Sequence, residues 1–397
     1  MVIVAHAGPI PEIIRIYGGR DDELSKDLIL THDGRILTTG WTESHGDTLG
    51  DLQVMAMGLA CDSMWSMTAG GTGGLEKGKE IVLLPGEGVL VAGYTESVPN
   101  DHRQGYLLRI GLDGNLVWSQ QLGGTGRDGF FDLAPLADGT FLAVGDYQVD
   151  PYRDGWLYCF TASGDFVWQR FVGTDRDTRL FTACQLVDGS IICAGWSRPA
   201  LPGTIPDIHL FALTESGDPL WDRIFGTGEQ DIARRVRPLA TGGFVMTGES
   251  ELPEDEGAEQ IVIARFQADG TLVWGLACGN EWLDQASDLA IDQDHAVYVV
   301  GTSEVNAEHE TDVMLIRVTL SGELTWFSTH GSDADDLGRG IVIDPFGRLF
   351  VTGQTHHRFA IHRTDNFIAR VLDSYLPGSQ PAFLSSFDDA GIEFRRR

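Results

Sequence analysis

Ten carboxylates stand in short polar stretches where this chain has the means to do chemistry: Asp21, Asp22, Asp128, Asp175, Asp177, Asp231, Asp284, Asp333, Asp335 and Asp336. Gathered around one opening, such side chains create a negative potential that holds cations or steers a basic ligand. Calcium asks for several oxygens on one tight loop, and Asp333-Ala334-Asp335-Asp336 is the densest run of that kind. Asp128 or Asp231 beside Arg234 or Arg235 also offers the acid, base and cation of a hydrolase or lyase. Imidazoles gather at His356, His357 and His362, among Arg358 and Arg363. Because adjacent His356 and His357 do not ligate one metal in ordinary loop geometry, this run reads as a basic contact patch.

Motifs that would settle a reaction are missing. No Gly-x-Ser-x-Gly, His-Glu-x-x-His or Cys-x-x-Cys occurs. Gly73 to Lys79 matches a phosphate loop, but Glu80 stands where a metal-binding hydroxyl is needed and the run leads into a strand. Calcium at Asp333, Asp335 and Asp336 is the one cofactor the sequence suggests.

The elements that position these residues are repeats. Trp65, Trp118, Trp168, Trp221, Trp274 and Trp326 follow one another at 53, 50, 53, 53 and 52 residues. Each opens a strand that ends five residues later on Gly70, Gly123, Gly173, Gly226, Gly279 or Gly331. A second glycine closes an apolar run in seven places: Gly40, Gly93, Gly145, Gly195, Gly248, Gly301 and Gly353. With turn pairs such as Asp138-Gly139 between strands, the period predicts seven four-stranded antiparallel blades rather than a helical solenoid. Ile13 stands one period before the first Trp, and the last copy never produces its Trp strand. A ring closed by residues 12–18 in blade 7 explains both defects. The expected architecture is an all-β seven-bladed propeller over residues 1–378, with 379–397 as a C-terminal tail.

Gly-Gly-Thr-Gly-Arg-Asp at 123–128, Ala-Asp-Gly-Thr at 137–140 and Phe-Val-Trp at 166–168 resemble the bacterial β-propeller repeat proteins with repeats of about 50 residues. That resemblance spans residues 12 to 377 and implies a fold, not a catalytic residue.

In a propeller the acidic connections, and the loops between second and third strands, meet at one mouth of the channel. Asp128, Asp177, Asp231, Asp284 and Asp336 are then expected as an acidic ring there. Asp51, Asp154, Asp207, Asp312 and Asp365 open the third strands, with Gln104 and Gln260 in the other two blades, and Thr42, Thr95, Tyr147, Ser197, Ser250, Ser303 and Thr355 stand two residues after the second-strand glycines. They read as a hydrogen bond bracing second to third strands. The residues directly after those glycines, including Trp41, Tyr94, Asp146, Trp196 and Glu249, do not repeat, which disfavours a lectin with one pocket per blade. A quinone-dependent oxidoreductase is disfavoured by seven blades instead of eight. The expectation is a non-catalytic binding or scaffold propeller docking a protein or polymer on this face, with a hydrolase or lyase as the alternative.

The chain has 397 residues, a formal charge of −30, and only Lys26, Lys77 and Lys79 as lysines. That field argues against nucleic acid and anionic lipid as partners. The first residues lack the basic start and apolar core of a leader, so the default expectation is cytoplasmic, with export as the alternative. Of five cysteines, Cys184 and Cys193 face one another if Asp188-Gly189 is a two-residue turn, and a bridge is then feasible. Reduced thiols are the preferred expectation.

Overall fold

The computed structural model describes residues 11–46, 49–84, 86–97, 102–251, 259–280, 282–293, 296–306, 310–332, 334–356, 364–372 and 385–386. Every regular element among them is a strand. Seven antiparallel sheets succeed one another, with strands inside residues 23–69, 76–122, 129–172, 176–225, 231–278, 284–330 and 336–372. In chain order the strands of a blade are its inner, second, third and outer strands. The seventh blade supplies three, and the N-terminal strand Pro11–Tyr17 pairs with Thr364–Leu372 to give the fourth. The fold is a seven-bladed β-propeller closed by its N-terminal strand. The tail adds one short strand, Ser385–Ser386, against the outer strand Leu272–Cys278 through Leu276 and Ala277.

By packing, the chain divides into residues 13–185 with 352–369, and residues 1–12 with 186–351 and 370–397. The first unit contains blades 1 to 3 whole. Blades 5 and 6 lie whole in the second. Within the first, Leu90, Leu107 and Ala92 of blade 2 bury against Phe130, Leu133 and Phe141 of blade 3. Within the second, Val245, Ile261 and Ile263 of blade 5 bury against Leu289, Val297 and Val299 of blade 6. Each of the larger of these side chains contributes about 1.5–3 kcal/mol on full burial. Third strands are therefore buried on both faces, as Asp51–Gly58 shows, whereas the outer strand Leu116–Leu122 alternates with solvent.

The repeated residues have particular jobs. The indole Nε1 of Trp65 donates to the Leu112 carbonyl at 3.2 Å, Trp118 to Ala162 at 3.1 Å, Trp221 to Ala268 at 3.0 Å and Trp274 to Leu320 at 3.1 Å. Each acceptor lies in the turn between third and outer strands of the following blade, so the Trp staples one blade to the next. Where the first copy lacks Trp, the Tyr17 hydroxyl donates to the Cys61 carbonyl in the corresponding turn of blade 1. The second-strand glycines are demanded by a close approach. A Cβ on Gly40, Gly93 or Gly145 would lie 1.8 or 1.9 Å from a carbonyl oxygen of the inner strand. Just beyond that carbonyl each inner strand carries a β-bulge, at Ser25/Asp27, Gly78/Glu80 and Phe130/Asp132 in blades 1 to 3.

After the bulge comes a feature the sequence reading missed. Buried Asp27, Asp132 and Asp288 each accept an amide from the next inner strand: Ile81 at 3.0 Å, Ala183 at 2.8 Å and Ile341 at 3.1 Å.

The inner hairpin corrects the expected register. Leu186 N–H donates to Ser190 O at 2.8 Å, so the loop has three residues, Val187 to Gly189, with Gly189 at φ +89°. The same closure between Leu136 and Thr140 sets Pro135 opposite Phe141 in blade 3. Carried into blade 4, that register puts Cys184 opposite Ile192 and on the other face from Cys193, so the expected pairing of the two cysteines is lost. All five cysteines are buried thiols.

Candidate functional site

Each second strand presents two successive side chains at the end where its loop begins. One is the hydroxyl two residues past the glycine, and the register aligns it with polar neighbours: Glu23, Thr42 and Asp51 across blade 1, Asp284, Ser303 and Asp312 across blade 6. The hydrogen bond runs inward, not to the third strand as expected. Thr42 donates to Glu23 at 3.2 Å, Thr95 to Glu76 at 2.6 Å and Ser250 to Asp231.

That geometry settles where the expected acidic ring goes. Asp128 Oδ2 accepts the Gly124 amide at 2.6 Å and Oδ1 the Gln148 amide at 2.7 Å. Asp231 accepts the Thr227 amide at 2.7 Å, Asp284 the Asn280 amide at 2.6 Å, and Asp336 the Ser332 amide at 2.5 Å. These carboxylates are buried and tie the connection between blades to the inner strand. Asp177 is buried as well and accepts the Arg153 amide at 3.2 Å. Thr178, not Asp177, takes the place in blade 4 that Asp128 holds in blade 3. Burial raises Asp231 to about 6 and Asp284 to about 7.

The calcium candidates disperse. Asp335 accepts the Thr311 amide at 3.1 Å while Asp336 serves Ser332, and Asp333 lies outside the described residues. Among the described residues no group of three His, Cys, Asp or Glu could hold a metal ion. His356 is half-buried at the end of Arg348–His356; His357 and His362 lie outside the described residues.

The residue directly after the glycine behaves differently in blades 1 to 5, where cations gather on it. Lys77 Nζ sits 4.1 Å from the Trp41 ring centroid. Lys79 and Arg103 lie 5.3 and 4.9 Å from Tyr94, and Arg198 lies 5.6 Å from Trp196. Burial pushes the Lys77 ammonium below its usual range, against the pull of Glu43 and Glu96. In the second unit Glu249 takes Arg234 in a two-pronged pair at 3.0 and 2.8 Å. Burial and the nearby Arg234 lower Arg339 to about 10.

The densest centre lies in the first unit. Asp146, fully buried, receives Arg103 at 2.6 Å, Arg179 at 2.9 Å and Arg153 at 3.2 Å. Arg103 precedes the third strand of blade 2, Arg153 lies in that of blade 3, and Arg179 comes from the inner strand of blade 4. Arg103 and Arg179 also flank Phe131 at 5.6 and 5.9 Å. Burial depresses the Arg153 guanidinium, with Arg179 adding repulsion. The sequence held one signal for this centre, since Arg103 and Arg153 occupy the same place in adjacent repeats, just before Gln104 and Asp154.

Comparison with known proteins supports the same fold. Residues 322–360 match the β-propeller repeat family known as SBBP. Among solved structures it is similar to the WD40 domain of Neurospora crassa Pan2, at 8% identity and TM-score 0.56, covering 96% of this chain and 98% of that one. A protein of unknown function from Dyadobacter fermentans is similar at 12% identity and TM-score 0.52, over 92% and 99% of the two chains. The periplasmic gluconolactonase PpgL of Pseudomonas aeruginosa gives 13% identity and TM-score 0.50, over 92% and 99%. At such identities the likeness is one of fold. No curated protein matches the sequence.

Proposed function

We propose that this propeller is a binding protein that docks a protein or polymer partner on the face carrying the second-strand ends. One observation carries the reading. The hydroxyl position repeats and is spent on bracing the blade, whereas its neighbour varies and holds cation–aromatic or ion-pair groups at Trp41, Tyr94, Asp146, Trp196 and Glu249. Variation confined to such a position suits recognition, where a few aromatic and arginine anchors carry most of the affinity.

The hydrolase or lyase reading keeps a structural neighbour in the gluconolactonase. Its candidate groups are engaged elsewhere: Asp128 and Asp231 on backbone amides, Arg234 on Glu249, and Arg235 on Asp288 at 2.8 Å.

Crosslinking in extracts of the source cell, followed by mass spectrometry, tests the binding reading. A partner crosslinked to the wild type should be lost from Trp41→Ala and Trp196→Ala variants that melt like the wild type. Retention of the same crosslinks in both would overturn it.

A further inference from the structure

Asp146 alone does not neutralise the three arginines it holds. One carboxylate faces three guanidiniums, and only Arg103 is fully employed: its side chain is 11% exposed, and its Nε donates to the Asp128 carbonyl at 2.9 Å. Arg153 and Arg179 both approach Asp146 through Nε, which leaves their Nη amino groups outside the ion pair. Their side chains remain 30% and 27% exposed. Asp177 adds a second negative charge near Arg153, and its Oδ1 accepts the Arg153 backbone amide at 3.2 Å. Two partly exposed guanidiniums held by one buried anion, with Phe131 beside Arg179, make a preorganised fork for an oxyanion. The feature stands out on a chain whose net charge repels anions in general.

We propose that Arg153 and Arg179, fixed by Asp146, form a subsite for an oxyanion group, phosphate or carboxylate, on the bound partner. This rests on the binding reading above and names the chemistry the partner must offer. Asp146 is the positioning residue; the two arginines touch the ligand.

Titration calorimetry of the full chain at low ionic strength, with inorganic phosphate and with citrate as probes and chloride as control, tests it. Saturable binding of phosphate alone identifies a phosphate source, saturable binding of citrate alone a carboxylate source, and either supports the subsite. Arg153→Gln and Arg179→Gln should each weaken binding about tenfold or more, as expected for losing one charge-assisted fork. Asp146→Asn, which removes the anion fixing both guanidiniums, should weaken binding as well; unchanged binding in a folded Asp146→Asn variant would overturn its positioning role, and loss of folding leaves the two arginine variants to decide. No saturable binding of either probe by the wild type, or binding indifferent to both arginine changes, overturns the subsite. The crosslinking readout at Trp41 and Trp196 is separate, so the docking face can survive that failure.

Discussion

Asp231 and Asp284 illustrate how a carboxylate can look like chemistry and serve the backbone. Both are held by an amide of the preceding connection and sit at about 6 and about 7, displaced upward mainly by burial. The folded protein therefore keeps these protons at pH values where the unfolded chain, near 3.8, has released them. Stability from this source is fully present below pH 4 and declines as pH rises toward 7, by at most about 1.4 kcal/mol per unit for each group. A double variant, Asp231→Asn with Asp284→Asn, should flatten the fall of the urea midpoint between pH 4 and 7; an unchanged slope would show that both carboxylates titrate normally. These groups were visible in the sequence as periodic aspartates. Their use was not, because a buried brace and an exposed ring share the same residue type and spacing. Conversely, Arg103, Arg153 and Arg179 come from three consecutive blades, and only two of them share a repeat position.

At the scale of the element, the period could be read because each repeat holds both halves of a staple. Trp274 donates to Leu320, and Gly322, at φ +92°, lies under the same indole: a Cβ there would come 2.8 Å from the ring. Trp274→Phe should cost about 1 kcal/mol for the lost hydrogen bond. Gly322→Ala should cost at least as much, from about 1–2 kcal/mol of left-handed strain with displacement of the ring added. Chemical denaturation of the two variants checks the order. The hairpin register was harder to read, since Asp-Gly suits a two-residue turn as well as the last two positions of a three-residue loop. The backbone hydrogen bonds of Leu186 with Ser190 and Gly189 separate them, and one residue of slip moves every side chain to the other face.

For the whole molecule, ring closure is the decisive contact. Removing residues 1–19 takes away Pro11–Tyr17 and exposes the edge of Thr364–Leu372. The truncated chain should melt well below the full one and aggregate through that edge; equal melting temperatures would contradict closure. A formal charge of −30 also predicts that sodium chloride raised from about 20 to about 300 mM increases the melting temperature, because self-repulsion is screened. The closing strand has a further consequence during biosynthesis. Tyr17 leaves the ribosome 347 residues ahead of Thr364, the first residue of the strand it waits for. At ~5–20 residues per second, that interval is roughly 20 to 70 s. Throughout it the nascent chain carries an orphan strand. Newly made polypeptide must keep that strand from pairing with other chains until Thr364–Leu372 has emerged.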